Sequence, residues 1–245
     1  MQLVRSFIYA LLFYAGTLAF CAIGLAAGLF GTGPMRAMVT AWARFNHWAV
    51  RHVLGIRIEV EGRIQPGPAL IAVKHQSMFE TVEMVLIADA PVIVLKRELT
   101  RIPLFGWITR CYGIIPVDRE AGAKALREML TLGRKAADAR RPIIIYPEGT
   151  RVRPGETPDL RPGFAGLYRG LGVPVVPVAV NSGRLWGRGL VKQPGVIRFV
   201  IGDPIPAGLK REEVERRVHE AINVLEFLPA GAARGEGTVR RTVEG

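Results

Sequence analysis

The sequence is poor in the residues that build metal centres and disulfide frameworks. It has only two cysteines, Cys21 and Cys111, and neither belongs to a pattern with metal-ligand spacing. The pattern Gly-x-Ser-x-Gly, which would mark a serine nucleophile on a strand-to-helix elbow, is absent as well. We therefore expect no metal, no cofactor and no disulfide, and the few thiols suit a reducing cytoplasmic compartment.

Acidic residues are also scarce, since 21 aspartates and glutamates stand against 33 lysines and arginines, for a net charge of +12. Such an excess favours an anionic partner: nucleic acid, an anionic lipid surface or a phosphorylated substrate. Hydrophobic residues make up 49% of the chain, which is high for a nucleic-acid-binding protein and common in membrane-associated ones. Membrane lipids are therefore the expected partners, and nucleic acid is not.

Charge is missing altogether from Ser6 to Met35. The centre of this run, 7–30, is long enough to cross a bilayer as a helix and longer than the apolar part of a signal peptide. The stretch 34–54 predicts a second helix, with Trp42 and Phe45 on an apolar face. That helix either lies at the membrane interface or packs on a globular domain. Together the two segments predict a membrane-embedded hairpin, or one span followed by a surface helix.

Strand and helix patterns alternate after residue 55. Several of the predicted strands are apolar on both faces, which indicates an α/β domain with a mainly parallel sheet covered by helices. We expect N-terminal membrane-associated helices over 1–54, this domain over 55–228, and a disordered tail over 229–245. The predicted strands are 56–60, 69–73, 91–95, 142–146, 175–180 and 196–201, with a short strand and a turn over 113–119. The predicted helices are 79–88, 103–112, 121–139, 164–171 and 211–225.

The polar stretch Lys74–Glu80 lies between a predicted strand and a predicted helix, where a loop can present side chains to a ligand. An imidazole at His75 can take a proton at neutral pH, and a carboxylate at Glu80 would fix its tautomer. Positions i and i+5 of a helix lie about 140° apart. The pair therefore requires His75 on the loop and Glu80 in the first helical turn. Ser77-x-x-Glu80 also fits a capping box, and the two interpretations are compatible.

Three cations follow predicted strands, where open α/β sheets bind their ligands. Glu148, Gly149, Thr150 and Arg151 come directly after the strand 142–146, and the Arg151 guanidinium is a bidentate clamp for an oxyanion. Lys96 and Arg119 follow two other strands, so the three cations can converge on one phosphate. Taken singly, each is more simply interpreted as a surface cation, and Gly149 as part of a plain turn.

Four motifs come in the order of the four sequence blocks of the glycerolipid acyltransferases: His75-x4-Glu80, Gly113-x5-Arg119, Glu148-Gly-Thr-Arg151 and Val173–Val178. The chain resembles the bacterial, PlsC-type branch of that family, the 1-acyl-sn-glycerol-3-phosphate acyltransferases, over about residues 56 to 205. The first block of the family usually reads Asn-His-x4-Asp, whereas here it reads Lys74-His75-x4-Glu80. Glutamate keeps the charge and adds a methylene, so activity is expected to survive with a slightly different relay geometry.

The resemblance implies a reaction and a role for each block residue. His75 would deprotonate the free sn-2 hydroxyl of lysophosphatidate, and Glu80 would hold His75. The alkoxide would attack the thioester of acyl-CoA or acyl carrier protein, giving phosphatidate. The residues implied to position the acceptor, with the arginines on its phosphate, are Gly113, Arg119, Glu148, Gly149, Thr150 and Arg151, to which we add Lys96.

Other interpretations stay open at this level. The acceptor could be another lysolipid, such as a lyso-ornithine lipid, or glycerol 3-phosphate itself. A covalent acyl enzyme on Ser77 or Ser182 is a minor alternative, and a non-catalytic lipid-binding membrane protein would explain the charge and the apolar N-terminus. For the enzyme we expect the cytoplasmic (inner) membrane, with the catalytic domain on the cytoplasmic side, because acyl thioesters are found there and Arg36, Arg44 and Arg51 follow the apolar run.

Overall fold

An eight-stranded sheet organises the chain after residue 55. The computed structural model describes residues 1–118, 121–227 and 240–242. The strands are Ile56–Glu61 (β1), Leu70–Val73 (β2), Val92–Lys96 (β3), Ile115–Val117 (β4), Ile143–Ile145 (β5), Val175–Val180 (β6), Gly195–Ile201 (β7) and Arg240–Thr242 (β8). The helices are Gln2–Leu29 (α1), Thr32–Ala49 (α2), Phe79–Ile87 (α3), Phe105–Tyr112 (α4), Gly122–Asp138 (α5), Pro162–Leu171 (α6), Arg211–Ile222 (α7) and Val224–Phe227 (α8).

The strand order is β4-β3-β5-β2-β6-β7-β1-β8. Pairing is parallel from β4 through β6 and between β7 and β1, and antiparallel between β6 and β7 and between β1 and β8. Each residue of β2, β5 and β6 is buried, as expected for parallel strands covered on both faces. The predicted α/β class with a mainly parallel mixed sheet is confirmed.

The sheet has a hydrophobic core on each face, because successive residues of a strand point to opposite sides. In β2, Ile71 and Val73 belong to the cluster that also contains residues of α3 and the N-terminal helices. Leu70 and Ala72 belong to the opposite cluster, with residues of α5, α6 and α7. The parallel order places the carboxyl ends of β4, β3, β5 and β2 along one edge of the sheet.

The N-terminal helices pack against the α/β domain instead of extending away from it. Near its start, the Ser6 hydroxyl of α1 accepts a hydrogen bond from the Lys192 N–H at 2.8 Å. Near its end, Gly28 lies so close to α4 that a Cβ there would overlap the Trp107 ring. In α2, residues such as Met35 and His47 are buried, which supports the prediction of a helix packed on the globular domain.

The outward face of α1 is an apolar stripe along its whole length. Among the described residues, α1 is the one helix long and apolar enough to cross a membrane. Its large exposed side chains include Leu3, Phe7, Leu11, Tyr14, Leu18, Leu25 and Leu29. This stripe faces away from the protein and is the surface on which lipid contact is expected.

Most predicted boundaries lie within two residues of the observed ones, and three differences are of another kind. The second helix begins at Thr32 and continues through a π-helical turn, Val50–Leu54, to the left-handed Gly55, whose φ is 71°. The predicted helix 211–225 is divided at Asn223, whose side chain turns inward to bond a buried lysine. The predicted disordered tail lies outside the described residues except for Arg240–Thr242, which pair with β1 as β8.

Candidate active site

His75 and Glu80 meet where β2 passes into α3. The Nδ1 atom of His75 lies 2.9 Å from Glu80 Oε1. Glu80 is completely buried, whereas the His75 side chain retains 13% of its exposure. With Nδ1–H donating to the carboxylate, Nε2 carries the lone pair and can take a proton from a bound hydroxyl. The predicted arrangement, a loop histidine with a carboxylate in the first helical turn, is the one observed.

Glu80 is held by more donors than the histidine alone. Its Oε1 atom accepts hydrogen bonds from the N–H groups of Gln76 and Ser77, each at 2.7 Å. Its Oε2 atom accepts from the hydroxyls of Ser77 at 2.6 Å and Ser182 at 2.7 Å. Burial by itself would raise the pKa of Glu80, but the hydrogen bond and charge of His75, together with the two serines, lower it. The carboxylate therefore stays ionised and can stabilise an imidazolium.

One half of the predicted capping box forms beside the His–Glu pair, although α3 begins after Met78 and not directly after Ser77. Glu80 reaches back to the Ser77 N–H while the Ser77 hydroxyl accepts a hydrogen bond from Phe79 N at 3.1 Å. The hydroxyls of Ser77 and Ser182 are buried and donate hydrogen bonds to Glu80. This arrangement suits serines that hold the carboxylate in place and does not suit nucleophiles that accept an acyl group.

The Glu148 loop fixes the backbone of His75 from the neighbouring strand. Glu148 Oε2 accepts a hydrogen bond from His75 N at 2.9 Å, and Val152 N donates to His75 O at 2.7 Å. The Tyr146 ring packs on the imidazole with centroids 4.3 Å apart, and burial followed by the charge of Glu80 raises the pKa of its phenol well above the ordinary value. His75 is thus held in two ways, through hydrogen bonds to its main chain and through packing of its ring on Tyr146.

Glu148 lies behind His75, although the sequence suggested that it contacts the acceptor. Its side chain and that of Lys74 are both completely buried, with Lys74 Nζ 2.7 Å from Glu148 Oε1. Burial raises the pKa of Glu148, and the Lys74 ammonium opposes that effect. A carboxylate enclosed in this way holds the His75 main chain and is not open to solvent.

Lys74 itself was not predicted as a site residue. Its ammonium also donates to Glu156 O at 2.8 Å and to Asn223 Oδ1 at 2.6 Å. Glu226 of α8 accepts from Gln76 Nε2 at 2.5 Å and from Gly155 N at 2.6 Å. The sequence signal that could have identified Lys74 is its position directly before His75, since a lysine buried there requires partners. No local pattern indicated that one of those partners lies 149 residues away.

The other predicted binding residues differ in position. Gly149 adopts a left-handed φ of 71°, and Thr150 and Arg151 after it are exposed beside the His75 loop. Lys96 ends β3 at the same edge of the sheet, but it is about half exposed and pairs with Glu98 at 3.2 Å. Gly113, with a φ of 87°, ends α4 next to the outermost strand β4.

Arg119 lies outside the described residues. Among the residues that are described, no group of three or more His, Cys, Asp or Glu side chains is arranged to hold a metal ion.

Comparison with known proteins places this geometry in context. The family model described as Acyltransferase matches residues 56–181. A 1-acyl-sn-glycerol-3-phosphate acyltransferase of Pseudomonas aeruginosa is 36% identical over 214 residues, which is 84% of this chain and 82% of the relative. A lyso-ornithine lipid O-acyltransferase of Rhizobium meliloti is 27% identical over 143 residues, 55% of this chain and 48% of that protein.

The fold has a close counterpart among solved structures. The crystal structure of the 1-acyl-sn-glycerophosphate acyltransferase PlsC from Thermotoga maritima superimposes with a TM-score of 0.74. The match covers 94% of this chain and all of that one at 20% sequence identity, so it concerns the fold alone.

Proposed function

The chain belongs to the acyltransferase family, and we propose that it transfers an acyl chain to the free sn-2 hydroxyl of 1-acyl-glycerol-3-phosphate, giving phosphatidate for phospholipid biosynthesis. The observation that carries this proposal is the His75–Glu80 pair, a partly exposed imidazole backed by a buried, ionised carboxylate. The similarity to the Pseudomonas aeruginosa protein supports lysophosphatidate as the acceptor.

His75 is the general base of the proposed mechanism. Its Nε2 atom removes the proton of the sn-2 hydroxyl as the oxygen attacks the thioester carbonyl carbon. The new ester bond forms, the carbon–sulfur bond breaks, and the imidazolium returns its proton to the thiolate, which leaves as a thiol. Glu80 stabilises the imidazolium through the 2.9 Å contact with Nδ1 and remains ionised throughout.

Arg151 is the proposed anchor of the acceptor phosphate. It follows Gly149 and Thr150 at the carboxyl end of β5, and its guanidinium is exposed. A planar guanidinium binds a phosphate through two parallel hydrogen bonds. Lys96 and Arg119 remain proposed contributors on the same argument from strand ends. Gly113 remains one only through its family block, since it precedes β4 instead of following a strand. The acyl donor in the proposal is acyl-CoA or acyl carrier protein.

The proposed location is the cytoplasmic face of the inner membrane, where acyl thioesters are found. α1 has 28 residues and is therefore about 42 Å long, yet both of its ends contact the α/β domain. A helix standing across the bilayer would carry one end far from that domain. We infer that α1 lies in the plane of one leaflet with its apolar stripe toward lipid.

Acyl transfer by the purified full chain tests the proposal. Lysophosphatidate, lyso-ornithine lipid and glycerol 3-phosphate are offered in parallel, each with acyl-CoA and with acyl carrier protein. We expect phosphatidate as the main product, and almost none from folded His75→Ala protein. Faster turnover of lyso-ornithine lipid would transfer the assignment to that acceptor, as the similarity to the Rhizobium meliloti enzyme allows. Absence of turnover with every acceptor would favour a lipid-binding protein.

A further inference from the structure

The loop between β6 and β7, residues 181–194, connects the candidate catalytic pair to the membrane helix. At its start, Ser182 donates to Glu80 Oε2 and Gly183 N donates to the Gln76 side chain at 3.0 Å. At its end, Lys192 N donates to the Ser6 hydroxyl of α1 at 2.8 Å. The loop therefore lies between the reacting groups and the surface through which a lipid would enter.

Its charge is entirely positive. Residues 181–194 contain Arg184, Arg188 and Lys192 and no aspartate or glutamate. Arg188 Nη2 donates to the main-chain oxygen of Arg151 at 3.3 Å, which brings the loop to the proposed phosphate anchor. In the described part of the chain, neither Arg151, Arg188 nor Lys192 pairs with a carboxylate.

The ammonium of Lys192 is held in place by two hydrogen bonds and keeps a third donor free for a ligand. Its Nζ donates to Gly187 O at 2.9 Å and Gly189 O at 2.7 Å and lies 5.1 Å from the centre of the Trp186 ring. An ammonium has three donors, so one remains for a ligand. Burial, and then the nearby charge of Arg151, lower the pKa of Lys192, as expected when cations are gathered without a counterion.

The tip of the loop is apolar and exposed. Leu190 retains 54% and Val191 retains 38% of their exposure, and the cations at 188 and 192 flank them. Trp186, below the tip, packs edge-to-face on Tyr9 of α1 with centroids 5.3 Å apart. An apolar tip between cations, next to a lipid-facing helix, suits the boundary between acyl chains and phosphates.

We propose that Arg188 and Lys192 complete, with Arg151, the site for the phosphate of the lysolipid acceptor, and that Leu190 and Val191 enter the membrane surface beside it. The inference rests on the proposed acceptor and adds residues outside the four family blocks. In this arrangement the glycerol hydroxyl is directed inward to His75 while the acyl chain stays with the lipid.

Binding without any acyl donor tests the loop separately from turnover. The full chain in neutral detergent micelles is titrated with 1-acyl-glycerol 3-phosphate and with the same 1-acyl-glycerol lacking phosphate. We expect the double substitution Arg188→Gln/Lys192→Met to raise the Kd for the phosphate-bearing lipid roughly tenfold or more, since charged hydrogen bonds are lost. The Kd for the neutral lipid should not change.

The charge-matched control is Arg134→Gln/Lys135→Met, two exposed cations of α5 near the opposite edge of the sheet. It should behave as the wild type with both lipids. The inference is overturned if the loop variant keeps its preference for phosphate, or if it loses both lipids equally. Circular dichroism shows whether Lys192→Met disturbs folding. If it does, the substitution of the exposed Arg188 alone, Arg188→Gln, still has to weaken binding of the phosphate-bearing lipid. The variant Lys192→Arg, which keeps the positive charge, has to bind that lipid as the wild type does.

A second arm distinguishes the acceptor from bulk membrane lipid. Vesicles of phosphatidylcholine are compared with vesicles that also contain phosphatidylglycerol. A loop variant that loses binding to the anionic vesicles while keeping its preference for the phosphate-bearing lysolipid would overturn the inference and make the loop a membrane contact only. A wild type that binds the phosphate-bearing lipid but never acylates it would contradict the proposed function and leave the binding result intact.

Discussion

At the scale of single residues, His75 is the group on which the proposed chemistry depends. His75→Ala should lower kcat by about 10³-fold or more, because an unactivated hydroxyl is a poor nucleophile. Glu80→Gln should cost less, since the imidazole remains with a poorly fixed tautomer. Glu80→Asp shortens an arm that now reaches five donor groups, so partial activity is expected.

The double variant His75→Ala/Glu80→Gln should be little slower than His75→Ala, because residues that act as one unit are non-additive. Steady-state rates on folded proteins check the series, with circular dichroism as the control for folding. Wild-type rates from His75→Ala would remove the general-base mechanism.

Lys74 is the second residue with a sharp expectation. Lys74→Met leaves Glu148 buried without its cation and should destabilise the fold by about 3–5 kcal/mol. Adding Glu148→Gln should recover part of this loss, since the uncompensated charge is gone. Because Glu148 holds His75 N, we expect both proteins to lose kcat more than acceptor affinity. Thermal unfolding and a comparison of kcat with KM test this, and strictly additive losses would contradict it.

At the scale of elements, the α2–α3 contact contains a second His–Glu pair, and both side chains of this one are buried. His47 Nδ1 lies 2.8 Å from Glu83 Oε1, with both side chains almost fully buried. Glu83 stands one turn after Glu80 on α3, so the pair joins the N-terminal helix α2 to the element that carries the candidate relay. We expect Glu83→Gln to lower the free energy of unfolding by about 1–3 kcal/mol. A double-mutant cycle with His47→Gln should show coupling, and independent effects would contradict this expectation.

The orientation of α1 can be tested from its two ends. In a protein with Cys21 and Cys111 replaced by serine, cysteines are introduced singly at Gln2 and at Gly33. An impermeant maleimide should label both from the cytoplasmic side if α1 lies in one leaflet, and from opposite sides if it spans.

The protein should also stay with membranes in concentrated salt, because hydrophobic insertion is not screened. Release by salt would contradict the membrane assignment.

At the scale of the whole molecule, acid stability should reflect Glu80. Its folded-state pKa is lowered from the ordinary 4.5, since the His75 and serine contacts outweigh burial. A lowered carboxyl pKa contributes stability above the ordinary value and loses it as the pH falls through the folded-state value. The difference in Tm between wild type and Glu80→Gln should therefore be constant above about pH 5.5 and shrink below pH 4.5. A constant difference down to pH 3 would contradict this.

The sequence predicted the local features of this molecule well and its long-range ones poorly. Apolar runs defined the strands, and the spacing from His75 to Glu80 defined the relay, because both are properties of a few neighbouring residues. The bond from Lys74 to Asn223 and the approach of Arg188 to Arg151 join distant segments, so no local pattern could indicate them. Glu148 was identified from its block, but its burial depends on a lysine brought from the adjacent strand.

The exposed stripe of α1 also has a consequence for the balance of lipid between the two monolayers of the membrane. If α1 lies flat in one leaflet, as proposed, the site draws its acceptor from that monolayer and returns its product there, so newly made lipid accumulates on a single side. The area of that monolayer then grows faster than the area of the opposite monolayer, which bends the bilayer and sets up lateral tension. Balanced growth of the cell envelope would require lipid to be carried across at the pace at which this enzyme works.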